Sequence, residues 1–144
     1  MTGSRKHVCL HATCIALDQR GLLIQGASGS GKSALALHLM ALGALLVADD
    51  RVNISLEDDS LVASAPEPLR GFIEARGIGL LKVEPCAQVE ICAVVDMDAD
   101  ESERLPYQHE VSILGKPVTL LRRVDAAHFA PALLQYLKCG RRIS

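Results

Sequence analysis

The stretch GLLIQGASGSGKSALAL, residues 21–37, constrains the chain more than any other part of it. It carries the pattern G-x-x-x-x-G-K-[ST] at Gly26, Gly31, Lys32 and Ser33, with a short apolar strand before it and a helical segment free of β-branched residues after it. In that setting glycines let backbone N–H groups converge on a phosphate, and the N-terminus of the helix adds its dipole. Gly26, Ala27, Ser28, Gly29, Ser30, Gly31, Lys32 and Ser33 are therefore the expected cradle of a nucleoside triphosphate. Lys32 would neutralise the β and γ phosphates, and the Ser33 hydroxyl would ligate Mg²⁺. The loop does not say where the terminal phosphate goes; the residues around it must.

Composition removes several destinations. A chain of 144 residues with no apolar run near the roughly 20 residues needed to cross a bilayer reads as one globular domain, residues 1–144, with no membrane segment. The opening MTGSRKHVCL has no apolar stretch or cleavage site of a secretory leader, so the cytoplasm is the expected compartment. Five cysteines, Cys9, Cys14, Cys86, Cys92 and Cys139, form no C-x-x-C pair and are expected as small core residues rather than a disulfide framework. A net charge of −2, with two Phe, two Tyr and no Trp, provides neither the basic field nor the stacking platforms of a nucleic-acid binder.

Residues 7–17, HVCLHATCIAL, read as a β-prone run, and after the turn DQRG a second strand leads into the glycine loop. The following helix is expected over 33–42, apolar almost all round as if held between layers, with Gly43 at its stop. ALLVADD reads as a buried strand ending in two acids, and RVNISLEDDSLVASAP as two strands around a turn at 57–60. Beyond Pro66 and Pro68 come the Gly-punctuated GFIEARGIGLLKV, the strand VEICAVVDM, the acidic loop DADESERLP and the strand pair EVSILGKPVTLLRR. A last amphipathic helix is expected over 126–137. No repeat or domain boundary interrupts this order.

Among chemistry-bearing residues, Asp49 and Asp50 follow the loop's helix at the end of a strand, where adjacent side chains point to opposite faces. One of them could hold Mg²⁺ or its waters, or take a proton from an attacking hydroxyl; a solvated turn with Arg51 is the plainer alternative. Glu74 and Arg76 share a face if extended, an acid for metal beside a cation for phosphate, and Gly77 and Gly79 would let backbone approach a ligand. His7, Cys9 and His11 alternate along one face without the spacing of a zinc site, and His11 is better read as a proton or phosphate partner near the loop. His38 reads as a semi-buried histidine, while His109 and His128 have no evident partner. Arg104 could reach a site as a phosphate clamp or pair with Glu101 or Glu103.

HATCIAL, GASGSGKS, LVADDRV and IEARGIG occur in the order and nearly the spacing of the catalytic domain of the bacterial HPr kinase/phosphorylase family, which the chain resembles from about 11 to about 82. It is most similar to the short, single-domain members. The resemblance implies a P-loop α/β domain with a strand-rich mixed sheet, similar to the core of phosphoenolpyruvate carboxykinase, assembled as a homo-hexamer. It implies a protein serine kinase that moves the γ-phosphate of ATP, with Mg²⁺, to a serine of the phosphocarrier HPr and so regulates the sugar phosphotransferase system. By the same resemblance Asp50 is the base, His11 the active-site histidine, Lys32 the loop lysine, Ser33 and Glu74 the magnesium ligands, and Arg104 a catalytic arginine. Residues 73–82, with Arg76, Gly77 and Gly79, match a stretch the family uses in both directions. The family's P-V-x-x-G-R-N loop, associated with dephosphorylation, has as its nearest text KPVTLLRRVDAAHF, which lacks G-R-N. Two readings from other classes stand beside the protein kinase: an ATP-binding regulatory module without phosphotransfer, and a small-molecule kinase.

Overall fold

The computed structural model describes residues 6–142. Its first two strands, β1 (His7–Leu10) and β2 (Ala12–Leu17), are separated by a bend at His11, which divides the single run expected over 7–17. β2 turns through Asp18 and Gln19, both at positive φ (51° and 64°), into β3 (Arg20–Gln25), a tight turn whose twist suits a hairpin. The glycine loop then opens α1 (Lys32–Ala41), followed by β4 (Leu45–Ala48). β5 (Val52–Glu57) and β6 (Ser60–Ser64) form the expected hairpin about Asp58 and Asp59. A 3₁₀ turn, Glu67–Leu69, precedes a two-stranded sheet of β7 (Phe72–Ala75) and β8 (Gly79–Lys82). The chain closes with β9 (Gln88–Asp100), the hairpin β10 (His109–Ile113) and β11 (Lys116–Arg123), and α2 (Phe129–Cys139).

Nine strands form one curled, mixed sheet in the order β1-β5-β6-β9-β3-β2-β4, with β11 also on β9 and β10 outside it. β9 is the spine: one edge pairs in parallel with β3, the other with antiparallel β6 at its start and with parallel β11 further on. Such a spine must be apolar on both faces, and ICAVV supplies this run at the level of the glycine-loop strand. Gly21 is where the two central strands draw together: a Cβ there would lie 2.6 Å from Val89 and 2.8 Å from the Glu90 carbonyl.

Alternation along the central strands feeds two cores. Ile15, Leu22 and Ile24 join Leu35, Ala36 and Leu39 of α1 and Ala130, Leu133, Leu134 and Leu137 of α2 on one face. Cys14, Leu23, Val94, Ile54 and Val118 pack on the other, where the sheet curls over itself. In each helix the buried residues sit at i, i+3, i+4 and i+7, so α1 has one inward stripe and leaves Ala34, His38 and Ala41 exposed. The expectation of a helix covered all round, with a semi-buried His38, does not hold; no second layer covers that side among the described residues.

Other departures are local. β9 runs on through Asp98 and Asp100, where a loop was expected, because β11 pairs with its far end. α2 begins at Phe129 rather than 126; residues 124–128 form tight turns instead. Its C-terminal carbonyls, Leu137 and Lys138, each accept from Arg20 at 2.8 Å, so a cation from the first hairpin caps the last helix. No helix among the described residues is long and apolar enough to cross a membrane.

All five cysteines are free, and only Cys14 is buried; Cys86 is half-buried and Cys9, Cys92 and Cys139 are exposed, against their expected place in the core. Burial pushes the Cys14 thiol far up, with Cys86 adding to it, and burial also raises Cys92. Iodoacetamide at pH 8 is therefore expected to alkylate Cys9 and Cys139 first and Cys92 more slowly. Cys14 should react on the order of a hundredfold more slowly still until urea unfolds the chain. Peptide mass mapping over time checks this; Cys14 labelling as fast as Cys9 would contradict the packing of β2.

Candidate active site

The site is built where β3 ends, α1 begins and β4 turns away. Gly31, at φ 98°, caps α1 in a left-handed conformation, and Gly26 lies at φ 154°. A Cβ on Gly26 would come within 2.5 Å of Ser30 Oγ and 3.0 Å of Met97 Cβ, so the loop closes only around glycine. Lys32 is 7% exposed and folds back inside the curve, its Nζ donating to the carbonyls of Gly26 at 2.8 Å and Ala27 at 3.1 Å. The ammonium thereby offsets the negative ends of two carbonyls that would otherwise oppose an anion.

From the spine strand comes a clamp that the sequence did not announce. The Ala27 N–H donates to both carboxylate oxygens of Asp98, at 3.1 and 3.0 Å. Asp98 is itself held by its own N–H on Asp96 Oδ1 at 2.8 Å. Met97, between them, approaches Gly26 and Gly31. The parallel pairing of β3 with β9, Gln25 against Asp96, is what sets these residues beside the loop.

Asp49 is the junction of the site. Its Oδ1 accepts from the hydroxyls of Thr13 at 2.9 Å and Ser33 at 2.8 Å, and its Oδ2 accepts from the Glu74 N–H at 3.3 Å. One carboxylate thus ties β2, the first turn of α1 and β7 together. The sequence offers Asp49 and Asp50 as alternating neighbours on a strand, but β4 ends at Ala48 and both acids lie beyond it. Asp50 sits at φ 73°, a left-handed conformation that Asp tolerates at some cost, and this sends its side chain away from that of Asp49.

There Asp50 Oδ1 meets His11 Nε2 at 2.7 Å, with the Asp50 side chain 64% and that of His11 53% exposed. A pair this open to water contributes little to stability. Since Asp50 holds a left-handed backbone and its contact with His11 is open to water, stability does not account for the arrangement. His11 reaches it because the chain bends at that residue, two positions before Thr13, which anchors Asp49. The bend also removes the shared face of His7, Cys9 and His11; no metal-holding cluster of three His, Cys, Asp or Glu occurs among the described residues.

Glu74 stands on β7 with its side chain exposed and its backbone on Asp49. Arg76 does not share its strand face: it lies in the turn to β8, with Gly77 at φ 87°, and Gly79 opens β8 at φ 129°. Arg104 is not brought to the loop either. It forms no ion pair with Glu101 or Glu103 among the described residues, and lines a separate cavity against α2. His109, without an evident partner in the sequence, lies 3.9 Å from Glu101.

The chain is similar to known proteins along this same stretch. A protein from Lachnoclostridium phytofermentans named HPr kinase/phosphorylase is 43% identical over 84 residues, 58% of this chain and 27% of that protein. One of the same name from Clostridium botulinum (strain Eklund 17B / Type B) is 42% identical over 124 residues, 78% of this chain and 41% of its own length. The chain therefore spans well under half of these relatives. The solved structure of the Hpr(Ser) kinase/phosphatase from Coxiella burnetii superposes with a TM-score of 0.77 at 26% identity, over 91% of this chain and 88% of that one. Residues 4–93 match the family described as HPr Serine kinase C-terminal domain, and the chain belongs to that family.

Proposed function

We propose that the chain is an ATP- and Mg²⁺-dependent protein kinase that phosphorylates a serine of the HPr phosphocarrier. On this reading residues 1–144 form one P-loop kinase domain of the kind found in the core of phosphoenolpyruvate carboxykinase, acting in the cytoplasm as a homo-oligomer, a hexamer by family likeness. The observation that carries the proposal is the exposed His11–Asp50 pair at 2.7 Å, one residue along from the Asp49 that holds Ser33.

The loop suits a polyphosphate. Ser30 Oγ is buried without a hydrogen-bond partner, Lys32 holds a buried ammonium that would turn from the Gly26 and Ala27 carbonyls to a phosphate, and the loop continues directly into the N-terminus of α1. Mg²⁺ bound with ATP would neutralise charge on the β and γ phosphates as the transferred group moves. Ser33 keeps its oxygen lone pairs while donating its proton to Asp49, so it remains a fitting ligand. Asp49 already accepts three hydrogen bonds, which fits holding Ser33 and metal-bound water better than direct ligation. Glu74 is exposed on the strand that Asp49 anchors and is the other proposed ligand.

Asp50 is the proposed base, accepting the serine proton as the hydroxyl attacks, and His11 orients its carboxylate from the far side. Both are open to solvent, as a residue serving an acceptor on another protein must be. The turn with Arg76, Gly77 and Gly79 lies on the hairpin that Asp49 anchors and would approach the acceptor. Arg104 would have to leave its present cavity to act as a phosphate clamp, so we assign it no step.

Transfer of label from γ-labelled ATP to purified HPr tests the proposal. Wild type should label one serine. Asp50→Asn should reduce the rate by on the order of 10²–10⁴, the usual worth of a positioned base. Asp98→Ala should weaken ATP affinity about tenfold or more while touching the transfer step less, because it frees the loop rather than the chemistry. A wild type that binds ATP and labels no carrier serine would leave a nucleotide-binding regulator in place of a kinase, and turnover of a metabolite in preference to HPr would favour a small-molecule kinase.

A further inference from the structure

Away from the glycine loop, a cavity of about 360 Å³ opens between β11 and α2. Its lining includes no residue of the loop and none of His11, Asp49, Asp50 or Glu74. Leu121, Phe129, Leu133 and Tyr136 give it an apolar body, a volume and character within the range of small-molecule sites.

Its polar groups are unevenly satisfied. Glu101 is settled: its side chain is 8% exposed, Oε2 accepts the N–H groups of Ser102 and Glu103, and Oε1 lies 3.9 Å from His109. Arg141 is not. Its Nε is shut off from solvent with no hydrogen-bond partner among the described residues, although Nη2 donates to Gln108 at 3.2 Å. The guanidinium lies over the Tyr136 ring, 5.9 Å from its centroid, which with the Gln108 bond sets its position. A buried, unpaired donor on a fixed cation costs free energy unless an acceptor arrives. Arg104 and Arg122 line the same space, and neither has an acidic partner among the described residues.

Three arginines against Glu101 and Glu103 leave one net positive charge, histidines apart, which suits a monoanion rather than a phosphate dianion. Arginine's planar fork matches a carboxylate. We propose that this cavity is a second ligand site, for a small carboxylate with an apolar or aromatic body, whose carboxylate takes the Arg141 guanidinium and whose body lies on Phe129, Leu133 and Tyr136. The site is independent of the kinase reading.

The test is binding of 3-phenylpropionate, with 3-phenylpropanamide as its neutral control, followed by amide shifts in two-dimensional NMR of the full chain. For a ligand of this size a Kd of about 1 mM is expected, with saturating shifts in β11 and α2. The amide should bind about tenfold more weakly or worse, and Arg141→Gln should cost the carboxylate a similar factor. Ala132→Trp, at an exposed lining position of α2, should fill the cavity and abolish binding while leaving the melting temperature near that of wild type. Equal binding of acid and amide, shifts confined to the glycine loop, or affinity unchanged in both variants would overturn the proposal. Because the readout is binding alone, its failure leaves the kinase assignment untouched, and the reverse.

Discussion

One carboxylate joins three elements at the candidate site. Asp49 takes Thr13 from β2, Ser33 from the start of α1 and the backbone of Glu74 from β7. Thr13 is fully buried, so the loss of its acceptor would leave a desolvated hydroxyl, a penalty of about 1–3 kcal/mol before the other two bonds are counted. With its oxygens engaged in this way, Asp49 has little freedom to move protons. The two adjacent acids thus differ: Asp49 holds the frame, while Asp50 stays open to solvent with His11, which is why the proposed base is Asp50.

What makes this difference possible is a break in regular structure. On a continued strand the two acids would face opposite sides of the sheet. Instead β4 ends at Ala48, Asp50 takes a left-handed backbone, and on β2's side the chain bends at His11, so that the pair meets in solvent beside the frame. On the opposite side of the loop, Asp98 and Met97 extend β9 past the end of β3 and brace the glycines. The loop is thereby closed from within by Lys32 and from without by the spine strand, which fix its shape.

Much of this was legible in the sequence, for local reasons. The glycine loop, the hairpins about 18–19 and 58–59, and the strand pair 109–123 each carry their own turn chemistry and periodicity within a dozen residues. Asp98 was not legible, because its meaning depends on a parallel pairing with a strand 71 residues away and nothing in DMDAD marks it. For the same reason the length of β9 was underestimated: β11, not its own composition, keeps the acidic end extended. The cysteines were misplaced by a residue-type preference that topology overrides, since Cys9 and Cys92 fall on outward positions of their strands. Arg104 has no periodic context at all, and the α2 residues that line its cavity with it lie far along the chain.

The proposed split between Asp49 as frame and Asp50 as base is addressed most directly by calorimetric titration of Mg·ATP into Asp49→Asn and Asp50→Asn. Asp50→Asn is expected to bind within about threefold of wild type, because its partner His11 lies outside the phosphate cradle. Asp49→Asn is expected to lose about tenfold to a hundredfold, because Ser33 and the loop's helix lose their anchor. Near-normal binding by Asp49→Asn together with a collapse of binding in Asp50→Asn would contradict it.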